Sequence, residues 1–187
     1  MRPFLTTDRL LLRRFTEDDL DDLVRLHGDP RVTRFLTGGR PASRAHLRDR
    51  TLARILDWYE RGPLSRWAAV ERASGDFIGW LALEPGAGHD LGQAELGYCL
   101  RAASWGRGYA TEGSRALIAK AFTGLGVHRV FARTMAVNTA SRRVMEKCGL
   151  TYLRTFHRHW DDPIPGTEHG EVEYELLRAG WARRREA

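Results

Sequence analysis

The chain has 187 residues and an ordinary hydrophobic content of 42%, which suits one domain with a full core. Its net charge is +6, but 30 Lys and Arg residues are interleaved with 24 Asp and Glu residues, so direct binding of nucleic acid is not expected. The sequence has no long apolar run, no signal peptide, and two cysteines without disulfide-type or metal-type spacing, which predicts a cytoplasmic protein without a membrane span or metal site.

Local signals predict strands and helices along the chain. A Leu-rich first strand is expected at residues 7–14. Capping residues and Gly or Pro stops delimit three early helices, at residues 17–28, 31–36 and 44–61. Strand-type composition marks six further segments, at residues 67–71, 77–83, 94–100, 129–136, 151–158 and 171–177. The turn-forming residues 73–76 predict that the first two of these form a hairpin.

The second half of the chain adds a long helix after residue 108 and a short helix capped by Asn138 or Thr139. Because the long helix connects strand 94–100 to strand 129–136, these two strands are expected to run parallel. No repeat or long linker divides the chain, so we predict a single mixed α/β domain over residues 1–187. The basic residues 180–187 are predicted to form a frayed tail.

The stretch Leu96–Gly113 predicts an anion site. An apolar strand is followed by Gly106-Arg107-Gly108 and then by a helix that opens near residue 109. The first N–H groups of a helix have no partner within it, and the helix dipole places roughly +0.5 charge there. The two glycines let a phosphate approach the main chain, and Arg107 adds a cation. A tight turn without a ligand is the alternative interpretation.

Two common phosphate motifs do not fit this loop. The P-loop requires Gly-Lys-Ser/Thr, which does not follow Gly106, and the dinucleotide fingerprint requires Gly or Ala where this chain has Thr111. The segment 103–108 instead resembles the pyrophosphate loop of GNAT acyl-CoA N-acyltransferases, Gln/Arg-x-x-Gly-x-Gly/Ala, with Ala103 in the first position.

Other blocks resemble one branch of that superfamily, the RimJ/RimL-like ribosomal-protein N-terminal acetyltransferases. They are Trp105–Glu112, the block Asn138–Leu150 with its Asn-x-x-Ser and Glu-Lys-x-Gly elements, and the opening strand Thr7–Arg13. The blocks cover most of the chain in the expected order. The resemblance implies the GNAT fold, in which helices flank a largely antiparallel sheet and one parallel pair of strands splays apart at the cofactor site.

The resemblance also implies acetyl-CoA as the co-substrate and assigns residues to its site. The cofactor-binding positions carried over are Leu100, Trp105, Gly106, Arg107, Gly108, Tyr109, Ala110, Thr111, Asn138 and Ser141. The loop contributes main-chain N–H groups, and Asn138 lies where the family binds the pantetheine arm. A plain helix cap is the alternative for Asn138. Glu112 suits the helix dipole without a ligand, so we interpret it as structural.

Two residues are predicted to be catalytic. Residues 94, 96, 98 and 100 share one face of their strand, which is the better core face, and this leaves Glu95 on the opposite, cleft-side face. In the wider family a Glu on this strand often acts as general base, whereas a solvated or cross-strand-paired Glu is the alternative. Ser141 lies where the branch places the acid that reprotonates the leaving thiolate, although it would also suit an ordinary helix.

The acceptor is predicted to be an amine that attacks the thioester directly. At pH 7 the neutral form costs about 1 kcal/mol for an α-amine and about 4.6 kcal/mol for a lysine amine. This difference favours a protein N-terminal amine, then an aminoglycoside or other small polyamine, then lysine. Neither cysteine has an adjacent base that would make it a nucleophile.

An acceptor pocket is expected between the early helices and the late loop. Its candidate residues are Trp58, Tyr59, Trp67, Trp80, Trp160 and Asp161, although aromatic residues at such positions are commonly core. A non-catalytic acyl-CoA-binding module and a basic nucleic-acid-binding domain are the rival hypotheses. A homodimer is compatible with the sequence, and no membrane partner is expected.

Overall fold

The strands form one eight-stranded sheet in a computed structural model that describes residues 3–186. The strands are β1 Leu5–Thr6, β2 Leu10–Arg13, β3 Ser65–Glu71, β4 Phe77–Pro85, β5 Gln93–Leu100, β6 Arg129–Met135, β7 Thr151–Phe156 and β8 Glu171–Leu177. Their order across the sheet is β1-β2-β3-β4-β5-β6-β8-β7. All neighbouring pairs are antiparallel except β5 and β6, which are parallel as predicted.

Helices cover both faces of the sheet. They are α1 Leu20–Gly28, α2 Pro30–Thr37, α3 Arg44–His46, α4 Ala53–Arg61, α5 Tyr109–Gly124, α6 Thr139–Lys147 and α7 Arg178–Glu186. A π-helical segment, Leu47–Leu52, joins α3 to α4. The predicted cap at Ser43 is confirmed, since its side chain accepts a hydrogen bond from the N–H of His46 at 3.1 Å. Within residues 3–186, no helix combines the length and the apolar composition needed to cross a membrane.

Two apolar cores lie on opposite faces of the sheet. On one face, Leu96 of β5 and Leu117 of α5 belong to a large buried cluster. On the other, Cys99 of β5 packs in a smaller cluster with Leu23 of α1 and Ile55 of α4. Burying one such aliphatic side chain stabilises the fold by about 1.5–3 kcal/mol. Strand β5 is therefore covered on both faces, which fixes its register and the direction of each of its side chains.

Strands β5 and β6 separate toward their carboxyl ends. Their parallel pairing consists of Gln93 with Arg129, Ala94 with Val130, and Glu95 with Phe131. Beyond these pairs, β5 continues along β4 and β6 continues along β8. The predicted fold class is thus confirmed: a mixed α/β domain with a largely antiparallel sheet and one splayed parallel pair.

The carboxyl terminus differs from the prediction. Residues 180–187 were expected to fray, but α7 extends from Arg178 to Glu186, and residue 187 lies outside the described part of the chain. The half-buried ring of Trp181 contacts Phe122 of α5, with ring centroids 5.5 Å apart. Arg184 donates to the carbonyl of Gly149 at 2.6 Å. One aromatic anchor among the basic residues therefore holds this helix on the domain.

The amino-terminal strand is also divided. Instead of one strand over residues 7–14, β1 and β2 pair as a hairpin. The hydroxyl of Thr7 accepts from the N–H of Leu10 at 3.0 Å across the turn between them. This turn presents residues 7–9 to the start of α5, a placement that the Leu-rich composition alone does not reveal.

Candidate active site

Two glycines shape the loop between β5 and α5. After β5 ends at Leu100, Gly106 and Gly108 adopt left-handed φ angles of 72° and 83°, which glycine reaches without steric cost. A Cβ atom on Gly106 would point into open space, so the main chain is exposed there. Helix α5 begins directly afterwards at Tyr109.

The main-chain N–H groups of this loop have no protein partner. In the described part of the chain, the N–H groups of residues 106–111 donate no hydrogen bond, whereas that of Glu112 donates to Gly108 at 3.0 Å. Unpaired N–H groups at the start of a helix bind anions, and the helix dipole adds roughly half a positive charge. The loop is therefore shaped to receive an anion such as a diphosphate.

The larger side chains of the loop are engaged by the protein. The indole N–H of Trp105 donates to the carbonyl of Leu100 at 2.8 Å. Tyr109 is buried, and its hydroxyl donates to Glu71. Arg107 forms an ion pair with the same carboxylate at 3.1 Å while its side chain stays 54% exposed. The main-chain N–H of Trp105 is also engaged, because it donates to the carbonyl of Ala102 at 3.2 Å. Among the three residues, Arg107 and Tyr109 therefore offer main-chain N–H groups to a ligand, and Arg107 adds a nearby cation.

An open cleft of about 690 Å³ begins beside the loop. The residues around it include Gly108, Thr111, Arg115 and Lys147. Glu112 faces the same cleft but is held by the first hairpin, because it accepts from the hydroxyl of Thr7 and from the guanidinium of Arg9, both at 2.6 Å. These contacts give Glu112 a structural role.

Asn138 caps α6. Its Oδ1 accepts from the N–H of Ser141 at 3.3 Å, and its Nδ2 donates to the hydroxyl of Thr134 at 3.0 Å. The cap that the sequence predicts is therefore present. The side chain of Asn138 also joins the end of β6 to the first turn of α6, which holds Ser141 in a fixed position.

Ser141 is paired with a tyrosine that sequence reasoning assigned to the core. The Tyr98 hydroxyl donates to the main-chain carbonyl of Ser141 at 2.9 Å and lies 3.0 Å from its Oγ. Burial raises the pKa of Tyr98, so its hydroxyl stays protonated at neutral pH. The sequence signal was available: among the alternating residues of this β5 face, Tyr98 is the one with a hydroxyl, between Leu96 and Leu100.

Glu95 lies at the point where β5 and β6 separate. Its side chain is 37% exposed, and its nearest cation is Arg133, at 3.9 Å. Burial raises the pKa of Glu95, and the charges of Glu84 and Glu173 raise it further, although Arg133 opposes them. A carboxylate with a raised pKa is a stronger base than one in water, which suits proton abstraction.

The two predicted catalytic residues lie on opposite faces of β5. Glu95 lies on the odd-numbered face, with Cys99, whereas Ser141 reaches the strand through Tyr98 on the even-numbered face. The separation of β5 from β6 lies next to both. A thioester passing between these strands could meet a base on one side and a hydroxyl pair on the other.

The predicted acceptor residues do not form one pocket. Trp67 is buried in the α5-side core and stacks on Phe4, with centroids 4.0 Å apart. The hydroxyl of Tyr59 accepts from the N–H of Phe15 at 2.9 Å and serves the fold. Trp58 lines a separate cavity of about 140 Å³. Trp67 thus lies on the sheet face opposite Glu95, because strand alternation turns it toward the α5-side core.

The remaining candidates lie on the face that carries Glu95 or beyond the end of β7. Trp80 is 8% exposed, and the guanidinium of Arg66 lies over its ring, 3.8 Å from the centroid. Trp160 lies beneath Arg158, 3.9 Å from its ring centroid, and Asp161 is fully exposed. Sequence reasoning missed the arginines that accompany these aromatic rings.

Neither cysteine is suited to nucleophilic catalysis. Burial raises the pKa of Cys99 to about 12 and that of Cys148 to about 11. Both thiols are therefore protonated at neutral pH, and the thiolate is the nucleophilic form. This agrees with direct attack by an amine rather than transfer through an enzyme thioester.

Comparison with known proteins identifies the family. The family described as "Acetyltransferase (GNAT) domain" matches residues 9–151. The chain is 33% identical over 193 aligned residues to the FsC-acetyl coenzyme A-N(2)-transacetylase of Aspergillus fumigatus, covering 97% of this chain and 79% of that protein. It is 31% identical to the uncharacterized protein YkkB of Bacillus subtilis, over 86% of this chain and 91% of that protein.

Solved structures share the fold at low identity. A RimL ribosomal L7/L12 alpha-N-protein acetyltransferase in complex with coenzyme A superimposes with a TM-score of 0.81 at 16% identity, over 96% of this chain and 99% of that one. A spermidine N-acetyltransferase from Vibrio cholerae, in complex with CoA and spermine, gives 0.76 at 16% identity, over 94% and 99%. The chain belongs to the GNAT acetyltransferase family and is an acetyl-CoA-dependent N-acetyltransferase.

Proposed function

We propose that the protein acetylates a primary α-amine, by preference at a peptide N-terminus, through direct attack on acetyl-CoA. One observation carries this proposal. Glu95, a carboxylate with a raised pKa and no hydrogen-bond donor within the described residues, lies where β5 and β6 separate. A base of this kind is sufficient for an α-amine, whose neutral form costs only about 1 kcal/mol at pH 7.

The cofactor is proposed to bind at the glycine loop. The N–H groups of residues 106–111 would hold its diphosphate, and Arg107 would add charge. The fit rests on the open space beside Gly106, which a side chain would fill. Main-chain groups of Leu100 and of Asn138 are assigned to the pantetheine arm. Bound acetyl-CoA supplies an acetyl thioester.

The protein residues are proposed to manage two protons. Glu95 accepts the proton that the attacking amine loses. Ser141 donates its hydroxyl proton toward the thiolate that departs, and Tyr98, 3.0 Å away, turns its O–H from the main-chain carbonyl of Ser141 to the Oγ that has lost its proton. Each such general acid or base contributes about 10²- to 10⁴-fold to a rate. The hydrogen bond from Tyr98 stabilises the serine alkoxide and so makes the Ser141 hydroxyl a stronger acid, while Tyr98 keeps its own proton.

The peptide N-terminus is favoured by likeness in shape to RimL, which also supports the proposed RimJ/RimL-like assignment. A small-molecule amine is the second candidate. It is favoured by the FsC-acetyl coenzyme A-N(2)-transacetylase, the curated relative that spans 97% of this chain. Release of CoA thiol with any peptide or small amine would support catalysis, whereas CoA binding without thiol release would support a non-catalytic binding module.

Coenzyme binding tests the loop assignment. Acetyl-CoA at 100 times its dissociation constant is expected to stabilise the protein by about 2.7 kcal/mol, measured by thermal melting. Replacing Gly106 with alanine should weaken CoA binding at least about tenfold by calorimetry, because the methyl group and the left-handed φ of 72° both disturb the phosphate approach.

Gly126 provides a matched control for that substitution. It has a φ of 73°, and its Cβ would also meet open space, but it lies beyond the far end of α5. Both alanine variants should lose similar stability, about 1–2 kcal/mol, from the left-handed backbone. Equal CoA affinity in the two variants would remove the glycine loop from the cofactor site.

Replacing Tyr98 with phenylalanine is expected to lower kcat about tenfold and to leave KM for acetyl-CoA unchanged. The phenyl ring keeps the packing on β5, but the hydroxyl that donates to Ser141 is lost. Tyr152→Phe is the control, because Tyr152 is 53% exposed on β7.

A double-mutant cycle tests whether Tyr98 acts through Ser141. If Tyr98 acts through Ser141, Tyr98→Phe should cause no further loss in a Ser141→Ala background. Independent, multiplicative losses would show that the Tyr98 hydroxyl does not act through the hydroxyl of Ser141.

A further inference from the structure

The sheet face that carries Glu95 is rich in paired charges. Cross-strand register places Glu84 beside Glu95 and places Phe131 between Glu95 and Glu175. The carboxylates of this charged face are Glu84, Glu95, Glu171, Glu173 and Glu175. The arginines that contact them are Arg66, Arg129, Arg133, Arg154 and Arg158.

Most of these carboxylates are already neutralised. Arg66 pairs with Glu84 at 2.6 Å, and Arg129 pairs with Glu175 at 2.8 Å. Arg158 pairs with Glu171 at 2.8 Å. A ligand ammonium at one of these carboxylates would share it with the arginine already paired there, and that positive charge weakens the attraction.

Glu173 is the most strongly neutralised of the set. It is 2% exposed and is contacted at 2.7, 3.2 and 2.8 Å by guanidinium groups. The three donors are Arg129, Arg133 and Arg154. Both oxygens of this buried carboxylate accept from guanidinium groups, so a substrate cation has no access to it.

Glu95 differs from the other members of the charged face. Its one cationic neighbour among the described residues is 3.9 Å away, which is beyond hydrogen-bond distance. The face therefore offers one carboxylate to a substrate amine. A polyamine has at least two ammonium groups, but only one of them could bind at Glu95. The second ammonium group would lie among arginines, which repel it.

The rim of this face is cationic. The side chains of Arg154 and Arg158 are 57% and 55% exposed, and that of Arg133 is 38% exposed. An exposed guanidinium that is already paired on one side retains N–H donors for a second carboxylate. A substrate with an acidic group near its amine would meet these donors while its amine contacts Glu95.

We propose that the acceptor is a monoamine that carries a carboxylate close to its reacting amine, and that the charged face rejects polyamines. This inference rests on the proposed function and narrows its acceptor class. The amine binds at Glu95, and the carboxylate binds at the arginine rim. Specificity arises as much from the absence of a second free carboxylate as from the attraction itself.

Three acceptors with the same α-amine test the proposal. They are alanyl dipeptide amides whose second residue is glutamate, glutamine or lysine, and kcat/KM is measured by thiol release, with the acetylated amine located by mass spectrometry. The wild-type protein should prefer the glutamate peptide over the lysine peptide by at least about fivefold, or about 1 kcal/mol. The preference should fall at 1 M salt.

Arg158→Gln makes the test specific to this face. The substitution removes a rim cation and frees the carboxylate of Glu171, so the ratio of glutamate to lysine peptide should fall about fivefold. Arg183→Gln is the control, because it removes one exposed arginine from α7, on the opposite face. A wild-type preference for the lysine peptide, or equal ratios in the two variants, would overturn the charge proposal. No thiol release with any of the three would instead count against the proposed function.

Discussion

Replacement of Glu95 by glutamine should lower kcat/KM about 10²- to 10⁴-fold at pH 7, while CoA affinity stays at the wild-type level. The amide keeps the size of the side chain but cannot accept the amine proton. Because Glu95 lies on the face opposite α5, its loss should not disturb the glycine loop. Initial rates of thiol release with an alanyl peptide, and calorimetry with CoA, measure the two quantities.

The pH dependence should identify the same residue. Burial raises the pKa of Glu95 above its ordinary value, and in the proposed mechanism its carboxylate form is the active one. The rate should therefore decline as pH falls through that raised pKa, and this decline should be absent from the residual activity of the glutamine variant. Glu60→Gln, at an exposed position of α4, is the control. If Glu95→Gln keeps more than about a third of the wild-type rate, another group is the base.

Replacement of Glu173 by glutamine should cost about 3 kcal/mol of unfolding free energy. Burial would raise the pKa of Glu173, but hydrogen bonds from Arg154 and Arg129 outweigh it, and the pKa is lowered to about 2. A shift from the usual 4.5 to about 2 corresponds to about 3 kcal/mol. The neutral amide removes the anion shared by three guanidinium groups, of which that of Arg129 is the least exposed.

The lowered pKa of Glu173 determines how its contribution to stability changes with pH. The contribution of Glu173 is fully present above pH 4.5 and is lost as pH falls toward its folded-state pKa of about 2. Urea unfolding at pH 7 and at pH 3 should therefore show a smaller difference between wild type and variant at the lower pH.

A variant that removes one arginine partner of Glu173 provides a reference for this loss of stability. Arg154→Gln removes one exposed arginine of the three that contact Glu173 and should cost no more than about 1 kcal/mol. A loss of less than about 1 kcal/mol for Glu173→Gln would mean that the buried carboxylate and its arginines do not stabilise the fold.

Much of the architecture could be predicted from the sequence because it depends on local signals. Two glycines before a helix predict an exposed anion loop, and a strand–helix–strand unit of the length seen here predicts a parallel pair. The caps at Ser43 and Asn138 follow from side chains that accept main-chain N–H groups two or three residues ahead. The assignment to the RimJ/RimL-like branch and the roles of Glu95 and Ser141 remain predictions.

The remaining features depend on register and tertiary contact, which the sequence does not specify locally. Tyr98 was placed in the core by alternation alone, because the helix that carries Ser141 reaches it from 43 positions away. The arginine pairing of Glu173 involves three different elements that only the folded sheet brings together. The helix at the carboxyl terminus was not predicted, because its basic composition suggests fraying. A single tryptophan, which contacts Phe122 of α5, packs this helix against the domain.

Strand β5 has a consequence for how the enzyme could evolve. Tyr98 follows Glu95 by three positions, an odd offset, so the two side chains face opposite sides of one strand. An insertion or deletion of a single residue between them would turn both to the same face of the sheet. In the proposed mechanism, the base Glu95 and the Tyr98–Ser141 pair that donates a proton would then lie on one side of the strand. Loops around the cleft can therefore vary with the acceptor, but the spacing within this strand cannot.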